Sequence, residues 1–343
     1  MMRPTLKDIA ERAGVSVSTV SYALNDSSKV VLSAETRARV RRIAKELGYI
    51  PNSVARSLRS RSSNIVGMLV TKPLTNPRFA AIVQGASAAL AEERMHLTIL
   101  SDPSSGAYLA DYRSGRLDGI VFVGHDDEAV PHAFAEASRL EGLPFVALDC
   151  GPAADGASYS TVDFDYALGA RQMIEHVAAR GFRVVLHVQP EVPSRANRQR
   201  EQAVLRALAE HPSLSLGIVS TGLTSARLRE FETSPHADDY AREVAERVGA
   251  AIAATHEESD AVAVVCSWGA DVEAVMSTAQ VRADGIFVGA MAGGTPSPRI
   301  WPNLAYSRLP LERAGAQSAR LLMQEVRGGP HGHLVLEPEL DAS

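Results

Sequence analysis

Apolar positions follow two different rhythms along the 343-residue chain. Near the start they recur every three or four residues in three short bursts. Leu6, Ile9, Ala10 and Ala13 form the first, Val20, Ala23 and Leu24 the second, and Val40, Ile43, Ala44 and Leu47 the third. That spacing predicts one buried stripe on each of three short helices. The punctuation agrees. Thr5, with Asp8 three residues on, can form a capping box, and Gly14 stops the first helix. Ser16 and Ser33 can cap the second and third helices, and Gly48 followed by Pro51 closes the third. Facing inward, the three stripes can make a small core.

From Asn64 the rhythm changes. Runs of Val, Ile and Leu alternate with longer helical patterns. The runs are Ile65–Thr71, Leu97–Ser101, Gly119–Gly124, Pro144–Asp149, Arg183–Val188, Leu216–Thr221, Ala261–Ser267, Gly285–Met291 and Leu304–Leu309. Helical patterns include Phe79–Met95, Tyr166–Arg180, Arg198–Glu210, Asp239–His256 and Leu311–Val326. Continuous apolar runs suit strands buried on both faces of a parallel sheet, and strand–helix alternation implies right-handed βαβ units. Nine strands suffice for two doubly wound lobes, with a crossing near Asp165. The expected division is a head over 1–49, a linker over 50–63 rich in Arg and Ser, and a body over 64–343. Within the body, lobe 1 is expected at about 64–164 plus 292–326 and lobe 2 at about 165–291 plus 327–343. Ligands of such folds bind beyond the carboxyl ends of the strands, in the cleft between lobes.

Charge divides the chain at the same place. The whole carries a formal −5, which by itself speaks against a nucleic-acid partner. Residues 1–62, however, hold twelve Lys and Arg against five acids, a formal +7, and leave −12 on the remainder. A basic head on an acidic body fits a nucleic-acid reader joined to something else, and on charge alone it fits a solvated basic face equally well. Two cysteines, Cys150 and Cys266, fall in apolar runs, so neither a disulfide framework nor a Cys-based zinc site is expected, and a reducing compartment fits. The N-terminus has no apolar run after its charge, so no secretory signal is expected. No stretch reaches the ~18 uninterrupted apolar residues of a membrane span. These features lead to the expectation of a cytoplasmic protein.

The head's central run, from Thr5-Leu-Lys-Asp-Ile to Tyr22-Ala-Leu-Asn25, is a helix, a tight Gly14-Val15-Ser16 turn and a second helix opening on small polar residues. This is what a helix-turn-helix needs. Its second helix fits a major groove ~12 Å wide. Ser16, Ser18, Thr19 and Ser21 can offer hydroxyls to phosphates.

At this point the sequence resembles the lactose-repressor (LacI/GalR) family of transcriptional regulators. The resemblance is carried by TLKDIAERAGVSVSTVSYALN, TRARVRRIAKELGYIPNSVARSL, IVGMLV and NPRFAAIVQGASAAL, and tapers after Asp165. It implies a repressor that binds a near-palindromic DNA operator as a homodimer. It implies, too, a body that binds a small-molecule effector, a sugar or other small metabolite. It also implies a hinge helix over Pro51–Leu58, with Asn52, Ala55 and Leu58 at the minor groove and Leu58 as a wedge. Val17, Ser18 and Tyr22 take the base-reading places. Thr5 and Asn25, which bound the motif, complete the DNA-contact set. The family often has arginine where Tyr22 stands, and two extra residues lengthen the loop around Lys29–Leu32.

The body resembles a periplasmic-binding-protein-like effector domain. Phe79, Asp165 and Arg200 match cleft positions there, with Arg195 and Arg198 competing for the place of Arg200. Ser267-Trp268 stands where the family usually shows Asn-Asp, and Gly289-Ala290-Met291-Ala292 where it shows an acidic pair. Trp268 can stack on a ligand face or pack as a structural residue. The expected fold class is therefore α/β: a three-helix head and hinge helix, then two doubly wound parallel-sheet lobes.

Two other readings compete. A solute-binding or sensor protein could share the body without operator function, but would carry a signal peptide where this chain has its basic head. An enzyme is the other. No Gly-x-Ser-x-Gly elbow, phosphate loop or His-Glu-x-x-His occurs, so catalysis, cofactor and metal are not expected. His331-Gly332-His333 lacks a third ligand and reads as surface.

Overall fold

The computed structural model describes residues 4–24, 32–49, 62–72, 74–100, 106–124, 129–153, 156–231 and 237–342. The chain divides into two compact units, 1–63 and 64–343.

In the first unit, helices α1 (Leu6–Ala13), α2 (Val17–Leu24) and α3 (Ala34–Glu46) pack on one another. Thr5 and Asp8 form the capping box, and Gly14 adopts the left-handed conformation, φ 64°, that closes α1. Ser16 Oγ accepts from Thr19 N at 3.1 Å and Ser33 Oγ from Thr36 N at 3.2 Å, so each later helix starts on a hydroxyl. Ile9, Ala10, Ala13, Val20, Ala23, Val40, Ile43 and Ala44 form the core. Leu6, Leu24 and Leu47 only half-bury, at its rim.

The second unit holds two six-stranded sheets. The first contains β1 (Ile65–Val70), β2 (His96–Leu100), β3 (Gly119–Val123), β4 (Phe145–Leu148), β5 (Ser160–Phe164) and β11 (His333–Leu336). Their order is β2-β1-β3-β4-β5-β11, all parallel. The second contains β6 (Val184–Glu191), β7 (Ser215–Thr224), β8 (Val262–Cys266), β9 (Phe287–Ala290), β10 (Leu304–Arg308) and β12 (Glu339–Ala342). It runs β7-β6-β8-β9-β10-β12, with only β12 antiparallel. The central strands β3, β4 and β8 are buried at every position, which is why their sequences read as unbroken apolar runs.

Helices cover both faces of each sheet, giving the doubly wound layers expected. Helix α4 (Pro77–Glu92) starts on Asn76, whose side chain accepts from Arg78 N, with Pro77 in the first turn. It crosses α13 (Leu311–Val326) backbone to backbone. A Cβ on Gly85 would run into the carbonyl of Glu312, and one on Gly315 into that of Ile82. Helices α7 (Tyr166–Ala179) and α8 (Arg195–Glu210) pack together, and α7 lies against β10 and β12.

The lobe boundaries differ from the expectation in two places. β10 pairs with β9, Leu304 opposite Val288, so the chain stays in lobe 2 through Arg308 rather than leaving it near 292. It then makes α13 on lobe 1, returns a strand to the first sheet as β11, and only afterwards ends on β12 in lobe 2. β5, β11 and β12 were not among the nine runs. All five β5 residues are buried, but three of them, Ser160, Thr161 and Asp163, are polar and break the apolar signature. The other two strands are four-residue edge strands with exposed positions.

Candidate functional sites: an exposed helix face and an interlobe ion network

On the first unit, the outer surface of α2 presents Val17, Ser18 and Tyr22, with Val17 45% and Tyr22 37% exposed. Both are large apolar or aromatic side chains left in water. Thr19 half-buries, and its hydroxyl lies 2.9 Å from that of Ser16. Thr5 is exposed, but its hydroxyl donates to Asp8 at 2.9 Å and its backbone N–H to the same carboxylate at 2.7 Å. These two bonds, the backbone one first, hold Asp8 below the usual carboxylate range. Ser21 corrects the expectation. It is 5% exposed, on the side of α2 packed into the head, so its hydroxyl does not face a phosphate. Arg41 Nε donates to the carbonyl of Ala23 at 3.4 Å, placing a cation at the carboxyl end of α2. Asn25, Asn52, Ala55 and Leu58, with the hinge segment, lie outside the described residues.

In the body the chemistry gathers around Asp149, at the carboxyl end of β4 with φ 60°. Asp149 accepts from Arg78 of α4, from Tyr166 Oη at 2.9 Å and from Arg195 Nη2 at 3.0 Å. Arg195, at the start of α8, also donates to Asp163 of β5 at 2.6 Å. One guanidinium on a lobe 2 helix thus holds two carboxylates of the lobe 1 sheet. The side chains are 21% exposed for Arg195 and 8% for each aspartate. Arg200 lies one to two turns further along α8, 4% exposed, with its guanidinium 4.6 Å from the Tyr166 ring centroid. Burial drives both the Tyr166 phenol and the Asp163 carboxyl above their usual values, although Arg195 pulls Asp163 back down.

A second polar group surrounds the same helix. Trp268 Nε1 donates to Asn197 Oδ1 at 3.0 Å. His187 Nε2 lies 2.8 Å from Ser267 Oγ. Burial, reinforced by the charge of Arg200, pushes His187 down to about 4 and leaves a neutral imidazole at physiological pH.

A cavity of about 950 Å³ opens where α7 and α8 meet β5, β11 and the loop after β4. Asp163, Asp165, Arg171, Arg195, Gln199 and Arg206 are among its lining residues. Of the four effector residues expected, Asp165 alone lines it. Asp165 also caps α7, accepting from Leu168 N at 2.8 Å. Phe79 corrects the expectation: it is 1% exposed in the lobe 1 core, next to Arg78 in sequence, and presents no surface to a ligand. Among the three competing arginines, Arg195 reaches the cavity, Arg200 is buried against Tyr166, and Arg198 is exposed. Sequence reasoning passed over Arg78, Asp149, Asp163 and Tyr166. Only Asp149 carried a signal, as an acid directly after an apolar strand.

His331 and His333 do not join a metal cluster. His331 Nδ1 sits 2.9 Å from Glu325 and His333 Nδ1 3.1 Å from Thr161. Among the described residues no group of three or more His, Cys, Asp or Glu could hold an ion, and no helix is long and apolar enough to cross a membrane.

Known proteins share both units. Residues 5–52 match the bacterial regulatory proteins of the lacI family, and residues 63–220 match the periplasmic binding proteins and sugar binding domain of the LacI family. The chain belongs to the lacI family. Within that family, the HTH-type transcriptional regulator CelR of Thermobifida fusca is 33% identical over 219 residues, 60% of this chain and 61% of the relative. The HTH-type transcriptional repressor PurR of Serratia proteamaculans (strain 568) is 30% identical over 213 residues, 60% of each chain. These matches span about three fifths of the relatives' length. Among solved structures, a lac repressor dimer bound to operator and the anti-inducer ONPF superposes with a TM-score of 0.73 at 21% identity, covering 99% of this chain and 98% of that one. At that identity it shows the lacI-family fold.

Proposed function

We propose that this lacI-family protein is a sequence-specific transcriptional regulator, a repressor, that binds a near-palindromic DNA operator as a homodimer. A small-molecule effector in the interlobe cleft controls it, and the protein acts in the cytoplasm, where the operator is. The observation that carries this reading is the joining of a helix-turn-helix, whose second helix exposes Val17, Ser18 and Tyr22, to a body whose two lobes are bridged by part-buried ions. Curated relatives named as transcriptional regulators support it, and so does a transcriptional regulator CelR solved as a complex with cellobiose, a sugar.

The effector site we assign takes Asp165 and Trp268 from the sequence and adds Asp163 and Arg195, which line the same cavity as Asp165. A ligand that favours one lobe arrangement over the other changes DNA affinity by reciprocal linkage. The segment 50–63, with Leu58 in its second half, transmits that change to the DNA. The test is selection of bound sequences from genomic DNA by the full-length protein at moderate salt. A two-fold symmetric motif is expected. Binding without sequence preference removes the operator reading and leaves a sensor of the same body fold.

A further inference from the structure

Helix α2 has the sequence VSTVSYAL and contains no charged, Asn or Gln side chain. Specific contacts to guanine come mostly from Arg or Lys, and specific contacts to adenine from Asn or Gln, because these side chains place two polar atoms against two base-edge atoms. α2 carries none of them. Its hydroxyls are also limited. Ser21 is buried, and Thr19 and Ser16 are engaged with one another at 2.9 Å. What remains outward is Ser18, one turn before Tyr22, and Val17 at the first helical position. Val17 and Tyr22 are 45% and 37% exposed, whereas the other valine, leucine and isoleucine side chains among the described residues of this unit are buried wholly or in part.

An exposed valine on a groove-facing helix meets only one apolar group along the base edges of the major groove, the 5-methyl of thymine. We infer that α2 reads its half-site through thymine 5-methyl groups packed against Val17 and the Tyr22 ring, with Ser18 supplying a single hydrogen bond. The inference rests on the operator-binding reading and names what that operator presents. Bases opposite the start of α2 are T·A pairs, with thymine methyls toward the helix, and no guanine is read bidentately there.

The experiment uses the full-length protein and a symmetric operator obtained by selection. Each thymine of the half-site is replaced in turn by deoxyuridine, which removes the methyl and leaves every hydrogen-bonding group. Burial of one methyl corresponds to about a four-fold change in affinity. Binding is therefore expected to weaken about four-fold at one or two adjacent positions in each half-site. The Val17→Ala variant should abolish the thymine–deoxyuridine difference at one of them, and Tyr22→Ala at the other, while Tyr22→Phe keeps it. Both residues are exposed, so the variants retain the head's core. Deoxyuridine tolerated at every position of a selected operator, or a guanine required opposite α2, overturns methyl readout and leaves the regulator reading standing. Failure to select any operator overturns the regulator reading itself.

Discussion

Truncating Arg195 to alanine would strand a carboxylate inside the body. The guanidinium now bridges Asp149 and Asp163 at 3.0 and 2.6 Å. Asp149 would keep Arg78 and the Tyr166 hydroxyl. Among the described residues Asp163 would keep only the backbone N–H of Phe164, at 2.9 Å. Removing one partner of a buried pair costs about 3–5 kcal/mol, because the remaining charge is left desolvated. Asp163 can relieve this by taking up a proton. Its carboxyl is already raised by burial, and Arg195 is what opposes the rise. Without Arg195 the folded-state value moves further above the unfolded one. The native state then holds an extra proton over a wider range, so stability falls as pH rises through that range. Urea denaturation of Arg195→Ala at pH 7.5 should show a loss of about 3 kcal/mol, close to ~6 °C in the thermal midpoint of a body this size. At pH 5 the loss should be visibly smaller. Adding Asp163→Asn should recover most of it at pH 7.5. A loss below about 1 kcal/mol, equal at both pH values, would refute the stranded-carboxylate argument.

Two further outcomes follow from packing and from burial. Gly85→Ala drives a Cβ into the carbonyl of Glu312, where no flexible side chain can move aside, so calorimetry should register a loss of about 3 kcal/mol for the body; an unchanged midpoint would mean that α4 and α13 can separate freely. Asp271, buried and bonded to the Tyr240 hydroxyl at 2.6 Å, is pushed up to about 6 by burial. Its folded value lies above the unfolded one, so its contribution is fully present below about pH 4 and is lost as pH rises through about 6. Asp271→Asn should remove that part of the stability–pH curve, read as urea midpoints between pH 4.5 and 7, and an unaltered slope would locate the titration elsewhere.

Local signals along the chain were dependable wherever one element answers to its own residues. Thr5 and Asp8 cap α1, Gly14 takes the left-handed turn, and Leu311–Val326 is a helix over the whole span its periodicity indicates. β5 shows the limit. Ser160 and Asp163 are buried in a strand only because Glu325, 165 residues later, accepts from Ser160 at 2.5 Å, and Arg195, 32 residues later, donates to Asp163. No window of sequence contains those partners. The same limit applies to function. Ser21 and Phe79 sit in motifs that favour contact with DNA or ligand, yet each turns inward, because helical phase and layer packing decide which side is covered.

The sequence by itself determined the two rhythms, the basic head on an acidic body and the composition of α2, since these depend on residue type and near-neighbour spacing. Tertiary structure decided which strands belong to which lobe, that β11 returns to the first sheet after β10 completes its pairing in the second, and that Arg195 bridges Asp149 and Asp163 of the other lobe. Burial and charge pairing are properties of groups brought together from distant parts of the chain, and a guanidinium acquires its role only once two carboxylates have been folded against it.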